Sequence, residues 1–164
     1  MPAVLIAKAG RWLAACVLLL AGAAQAAPIV VTDVAGRQVT LPQPAKRVIL
    51  ADARALLALN ILPPQQPLKN IIAWDNSLKV KAPDLVEAYA KKFPQVMQIP
   101  TFDNPYTSDF SVESAVVRQP DLIIFDIGLL SKLKDSGVLT QLEKVGIPVL
   151  IIDFRQQPLK IGRA

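Results

Sequence analysis

The chain has 164 residues, of which 18 are basic and 13 acidic, with one cysteine and no histidine. Hydrophobic residues make up 52% of it, enough for a buried core, and one domain is the simplest organisation at this length. The charges are dispersed, with no basic run longer than Lys46-Arg47 or Lys91-Lys92, so the sequence does not indicate a nucleic-acid partner.

The N-terminus is typical of a secretory signal peptide. Lys8 and Arg11 precede an apolar run, and Ala24-Gln25-Ala26 supplies the small-x-small pattern at which signal peptidase cleaves. The apolar run is too short to cross a bilayer comfortably. We therefore predict that residues 1–26 are removed, and that residues 27–164 form a periplasmic protein.

A second interpretation of the leader starts from Cys16. The stretch Leu13-Ala14-Ala15-Cys16 resembles the lipobox at which bacterial lipoproteins are cleaved and acylated. Between Arg11 and Cys16 there is almost no apolar core, whereas the hydrophobic run continues past the cysteine. We therefore favour signal-peptide removal over lipid anchoring at Cys16, which leaves the mature chain without a cysteine for a disulfide.

Strand and helix patterns alternate along the rest of the chain. A hairpin turning at Ala35-Gly36 is followed by predicted strands at 47–52, 70–73, 121–126 and 147–153, and by predicted helices at 53–62, 82–93, 111–118 and 129–145. Residues 75–77 are predicted to form a turn and residues 95–110 an irregular segment. Ser111 is a predicted helix cap, Gly137 an irregularity, and Gly146 a left-handed helix end.

This alternation predicts the fold class. Strand, helix and strand at this spacing form right-handed βαβ units. We expect an α/β fold with a doubly wound, mainly parallel sheet and helices on both faces, preceded by a short N-terminal hairpin.

The residue inventory disfavours catalysis. There is no histidine, no G-x-S-x-G elbow, no P-loop and no G-x-G-x-x-G motif. Asp75, Asp126 and Asp153 stand at predicted strand ends, where aspartates more often cap helices or pair with arginine than act as acids or bases. We predict that the protein is not an enzyme, and we predict no cofactor and no protein-held metal.

A ligand-binding edge is predicted instead. Open parallel sheets bind ligands outside the carboxyl ends of their strands. We predict ligand contacts from Arg54, Trp74, Tyr106 and Arg155, since arginine suits the oxygens of an anionic ligand and tryptophan its flat groups. Each side chain has a packing alternative: Arg54 along its helix, Trp74 in the core, Tyr106 against its own loop, and Arg155 paired with an aspartate.

Three stretches in chain order resemble one protein family. Residues 32–48 match T-D-x-x-G-R-x-V-x-[LVI]-P-x-x-x-x-R-[VI] through Thr32, Asp33, Gly36, Arg37, Val39, Pro42, Arg47 and Val48. Residues 110–125 place a short helix before Pro-Asp and a buried strand, and residues 142–154 place a helix before Gly-Ile-Pro and a strand. The chain resembles the periplasmic substrate-binding proteins of ABC importers for ferric siderophores and cobalamin.

The resemblance implies two α/β lobes joined by a long helix, with the ligand between them; residues 27–164 correspond to the N-terminal lobe. It implies a ferric siderophore, or a related iron or cobalamin chelate, as ligand, with iron held by the chelator. It also implies an ABC importer permease as partner and a permease-docking role for Glu113, in the short helix before Pro-Asp. Without the resemblance, Glu113 would be a solvated helix residue.

The joining helix and second lobe of that family have no counterpart among the 164 residues. We interpret the chain as a truncated or interrupted substrate-binding protein, with residues 161–164 as possible out-of-frame translation. An alternative from another class is a secreted α/β interaction protein that self-associates through the face that a second lobe would cover.

Overall fold

A computed structural model describes residues 27–56 and 68–153. The predicted signal peptide, most of the helix predicted at 53–62, and Arg155 lie outside the described residues. The strands in the described part are β1 (Ile29–Thr32), β2 (Gln38–Leu41), β3 (Val48–Leu50), β4 (Ile71–Asp75), β5 (Thr101–Phe102), β6 (Leu122–Asp126) and β7 (Val149–Ile152). The α-helices there are α1 (Ser77–Lys81), α2 (Pro83–Lys92), α3 (Val112–Val117), α4 (Leu130–Asp135) and α5 (Val138–Lys144), and 3₁₀ turns occupy Ala53–Ala55, Pro94–Gln98 and Ile127–Leu129.

Strands β3 to β7 form one parallel sheet in the order β5-β4-β3-β6-β7. The chain adds β4 and β5 on one side of β3, and then returns to add β6 and β7 on the other side. β3 and β6 therefore flank the point at which the winding direction changes, called here the switch point. The predicted doubly wound α/β fold is confirmed.

The core lies on both faces of this sheet because successive strand residues point to opposite sides. Ile49 and Phe125 belong to one buried cluster, together with residues of α3, α4 and α5. Leu50 and Trp74 belong to a second cluster, together with residues of α1 and α2. Helices cover both faces, as predicted. No helix within residues 27–56 and 68–153 is long and apolar enough to cross a membrane.

The hairpin of β1 and β2 is fastened to edge strand β7 by Asp33 and Arg37. Gly36 sits in the turn at φ +76°, a backbone conformation that favours glycine. The Asp33 carboxylate accepts from Arg37 Nε at 2.9 Å and Nη2 at 2.7 Å, and from two backbone N–H groups of the turn. Arg37 Nη2 also donates to the carbonyl of Val149 at 2.9 Å, and the N–H of Ile151 donates to Asp33 at 3.3 Å. The T-D-x-x-G-R motif thus provides hydrogen-bond partners for backbone N–H and C=O groups along the outer edge of β7.

The region after β4 differs from the prediction. A turn was expected at 75–77 and one helix at 82–93, but α1 begins at Ser77 and α2 begins at Pro83. Ala82 between them has φ −146° and ψ 59°, outside the helical region. Because the residue before a proline is disfavoured in the α conformation, α1 ends there and α2 restarts with proline in its first turn.

Two further differences concern short elements. The segment 95–110, predicted to be irregular, contains the two-residue strand β5, which is too short to show an alternating pattern. The helix predicted at 129–145 is divided into α4 and α5 at Gly137, whose φ of +73° fits the predicted irregularity. Gly146 also has positive φ, as expected for a glycine that ends a helix.

Candidate ligand-binding site at the carboxyl edge of the sheet

Three buried aspartates stand where adjacent central strands end: Asp52 after β3, Asp75 in β4 and Asp126 in β6. Asp52 accepts a hydrogen bond from the N–H of Arg54, and Asp126 accepts one from the N–H of Gly128, each at 3.0 Å. These carboxylates therefore organise the turns that follow their strands. Within the described ranges, no group of three histidine, cysteine, aspartate or glutamate side chains could hold a metal ion.

Arg54 is held at this edge in a fixed orientation. Its Nε donates to Asp52 Oδ1 at 2.8 Å and its Nη2 to Asp52 Oδ2 at 2.5 Å, with 32% of the Arg54 side chain exposed against 3% for Asp52. The hydrogen bonds to Asp52 raise the pKa of Arg54 above its already high ordinary value, so the guanidinium stays charged. It also lies 5.7 Å from the centre of the Tyr106 ring, within range of a cation–π interaction.

Tyr106 reaches the same place from the loop between β5 and α3. Its hydroxyl donates to Asp126 Oδ1. A Cβ added at Gly128 would lie 2.8 Å from the tyrosine oxygen, so a side chain at this position would force the Tyr106 hydroxyl to move. Arg54 and Tyr106, both predicted ligand residues, are thus brought together with Asp52 and Asp126 into one group of side chains, called here the edge cluster.

The edge cluster lies at the switch point, because Asp52 follows β3 and Asp126 ends β6. The sequence pattern predicts Asp126 at this sheet edge but gives no reason to include it in the site, and it contains no signal for Gly128. The crowding at Gly128 depends on a tyrosine from a loop that is distant in sequence.

Trp74 lies in the core and not in the edge cluster. Its side chain is 0% exposed and belongs to the buried cluster on the α1 and α2 side of the sheet. Its Nε1 has no hydrogen-bond partner among the described residues. This placement favours the packing role that the sequence left open for Trp74.

Glu113 is exposed in the first turn of α3. Ser111 caps that helix as predicted: its Oγ accepts from the N–H of Ser114 at 3.1 Å and donates to Glu113 Oε2 at 3.2 Å. A helix that connects parallel strands runs antiparallel to them, so the first turn of α3 lies toward the carboxyl ends of the strands. Arg155, the remaining predicted site residue, lies outside the described residues.

Asp75 gives the fold a specific pH dependence. The residue is 1% exposed, and burial raises the pKa of its carboxyl, opposed by hydrogen bonds from the N–H of Ala53 at 2.5 Å and the Oγ of Ser77 at 2.9 Å. The folded chain therefore binds the Asp75 proton more tightly than the unfolded chain does. This contribution stabilises the fold below the ordinary carboxyl pKa and is lost as the pH rises through the raised folded-state pKa.

We expect Asp75→Asn, which cannot ionise, to remove this loss of stability between acidic and neutral pH. Each unit of pKa difference corresponds to about 1.4 kcal/mol in the free energy of unfolding. Urea unfolding of the wild type and the variant across that pH range measures the effect. Asp84→Asn, which removes an exposed carboxylate in α2 by the same substitution, is the matched control. Parallel wild-type and Asp75→Asn curves would contradict the assignment.

Comparison with known proteins gives no match to a protein-family model or to a curated protein sequence. Among solved structures, the TroA-like periplasmic binding protein FepB from Veillonella parvula is 28% identical and superposes with a TM-score of 0.71 over 79% of this chain. The described residues fold as one lobe of a TroA-like periplasmic binding protein. The resemblance to periplasmic binding proteins that the motifs indicated is confirmed.

Other neighbours of the TroA-like lobe agree in fold alone. The molybdate periplasmic binding protein MolA of a Haemophilus influenzae ABC transporter is 20% identical over 77% of this chain, with a TM-score of 0.57. CeuE of Helicobacter pylori, in a nickel–histidine complex, is 16% identical over 77%, with a TM-score of 0.55. The chain spans 38%, 35% and 36% of the lengths of FepB, MolA and CeuE. These neighbours are solute-binding proteins, the class that the sequence favoured over enzymes.

Proposed function

We propose that this TroA-like lobe forms one wall of the solute site in the periplasmic binding component of an ABC importer. The observation that carries the proposal is the meeting of Arg54 and Tyr106 at the switch point. Open parallel sheets bind their ligands at this place. The fold shared with solute-binding proteins supports the same function and a periplasmic location.

We propose a ferric siderophore, or a related iron or cobalamin chelate, as the solute. A ferric siderophore surrounds its metal with oxygen atoms, and a charged guanidinium held in one orientation suits such a surface. The aromatic ring of Tyr106 adds a flat contact beside it. In this proposal the chelator, and not the protein, holds the iron; among the described residues no group of three histidine, cysteine, aspartate or glutamate side chains could hold a metal ion.

The importer permease is the proposed protein partner, and Glu113 is the proposed docking residue. Its carboxylate is exposed and lies at a helix N-terminus, where a negative charge is favourable. An exposed acidic side chain near the solute edge is suited to a basic group on a membrane partner. The self-association alternative is not favoured, because the structural neighbours are solute-binding proteins.

A titration of the full chain tests the solute assignment. A ferric hydroxamate, a ferric catecholate, cobalamin, molybdate and nickel–histidine are compared by isothermal calorimetry. We expect the double variant Asp52→Asn, Arg54→Gln to weaken ferric-chelate binding about ten- to a hundredfold, the effect of losing charged hydrogen bonds. Changing both residues avoids leaving a buried carboxylate without its arginine.

Arg118→Gln is the matched control, because this arginine lies at the C-terminal end of α3 and bonds to the carbonyl of Ser114. The Arg118→Gln variant should bind the ferric chelate as tightly as the wild type does. If the chain binds molybdate or nickel–histidine but neither a ferric chelate nor cobalamin, the siderophore assignment is rejected. Equal affinities of the double variant and the wild type for the chelate would reject the edge cluster as the site.

A further inference from the structure

The loop that carries Tyr106 is attached to α4 through Lys132. Lys132 Nζ donates to the carbonyl oxygens of Pro105 at 3.0 Å and Ser108 at 2.6 Å, on either side of the tyrosine. Asp109 Oδ1 lies 3.5 Å away, but this carboxylate side chain is 97% exposed and such an ion pair contributes little. The two bonds from a charged donor to backbone carbonyls are therefore the main attachment.

The turn itself closes without Lys132. Buried Asn104 accepts through Oδ1 from the N–H of Tyr106 at 2.9 Å, and its backbone carbonyl accepts from the next two N–H groups. Phe110 anchors the far end of the loop by packing edge-on against Phe125, with 5.0 Å between ring centres. The two Lys132 hydrogen bonds instead link the closed turn to α4.

The position of Tyr106 tolerates little change. Its hydroxyl is bonded to Asp126 and packed against Gly128 without room for an added methyl group. A displacement of about 1 Å takes a hydrogen bond out of its useful range of distance and angle. The ring must also stay near the guanidinium of Arg54, 5.7 Å from the ring centre.

We propose that Lys132 is a positioning residue of the edge cluster: it holds the Tyr106 turn so that the phenol meets Asp126 and Arg54. The role of this arrangement in solute binding rests on the proposed function, whereas the positioning itself does not. The expected consequence is that Lys132 affects both the surroundings of Tyr106 and the affinity for the chelate without contacting the chelate.

Fluorine NMR of the full chain labelled with 3-fluorotyrosine tests the positioning. The chain has two tyrosines, and Tyr89 packs with the cluster on the α1 and α2 side, so it serves as an internal reference. We expect Lys132→Met, which removes the ammonium and keeps a long side chain, to shift or broaden the Tyr106 signal alone. Lys132→Arg, which keeps charged donors, should restore it. Lys134→Met, an exposed lysine of α4, is the matched control.

An unchanged Tyr106 signal in Lys132→Met would overturn the proposal, as would equal changes at Tyr106 and Tyr89. In the calorimetric titration with the ferric chelate, Lys132→Met should weaken binding about tenfold, and Lys132→Arg should recover most of the lost affinity. If Lys132→Met binds the ferric chelate as tightly as the wild type does, the proposed effect of Lys132 on solute binding is overturned. If the wild type binds no ferric chelate, the siderophore assignment fails, and the fluorine spectra alone decide whether Lys132 positions Tyr106.

Discussion

Replacing Asp33 with alanine should lower the free energy of unfolding by about 3 kcal/mol. The substitution removes the acceptor for both Arg37 nitrogens and for the N–H of Ile151, and it leaves the arginine without its carboxylate. Asp33 is buried whereas 32% of the Arg37 side chain is exposed. Most of the cost therefore comes from the backbone N–H groups of Ala35, Arg37 and Ile151 that lose their acceptor. Chemical denaturation of the full chain measures the loss.

A double-mutant cycle separates the ion pair from the rest of the hairpin. Arg37→Met removes the cation, and the combined Asp33→Ala, Arg37→Met variant removes both charges. We expect the double variant to lose less stability than the two single losses added together, because neither charge is left alone. Additive losses, or a loss below about 1 kcal/mol for Asp33→Ala, would show that this pair does not fasten the hairpin to β7.

Replacing Trp74 with alanine should cost about 4 kcal/mol of stability. Trp74 is among the largest fully buried side chains of the described residues, and truncating a buried aromatic residue leaves a cavity that the surrounding core only partly fills. Trp74→Phe retains most of the packing and should cost clearly less. Denaturant unfolding of both variants against the wild type measures the difference.

The same pair of variants distinguishes the two roles that the sequence left open for Trp74. If the side chain only packs the core, Trp74→Phe binds the ferric chelate as tightly as the wild type does. A folded Trp74→Phe variant with reduced affinity would instead indicate a ligand contact. Its place in the buried cluster leads us to expect unchanged affinity.

Local patterns were sufficient for most of the fold. Strands β3, β6 and β7 consist of apolar runs, and Ser111, Gly137 and Gly146 mark helix ends by chemistry that acts within a few residues. Strand β5 was missed because it has two residues, and α1 because it is a single short turn before Pro83. Such elements depend on the neighbours they pair or pack with, which a sequence pattern does not reveal.

The candidate site contains two of the residues that the sequence predicted as ligand contacts, and whether they bind a ligand stays a prediction. Arg54 and Tyr106 were chosen because of their side-chain chemistry, and the sheet-edge rule gave the expected region for Arg54. Trp74 illustrates the limit of that rule: it stands one residue before the edge aspartate Asp75, and strand alternation directs it into a sheet face. A sequence position near a strand end therefore does not decide whether a side chain reaches the ligand or the core.

The sequence by itself determined the α/β class, the order of the main strands and helices, and the family resemblance, because periodicity, capping and motif spacing are local properties. Only the tertiary structure decided that Tyr106 meets Asp126 and Arg54, that the tyrosine hydroxyl lies close to Gly128, and that Lys132 bonds to the turn. These contacts join residues from separate strands, helices and loops. Their geometry exists only once the sheet has brought those elements together.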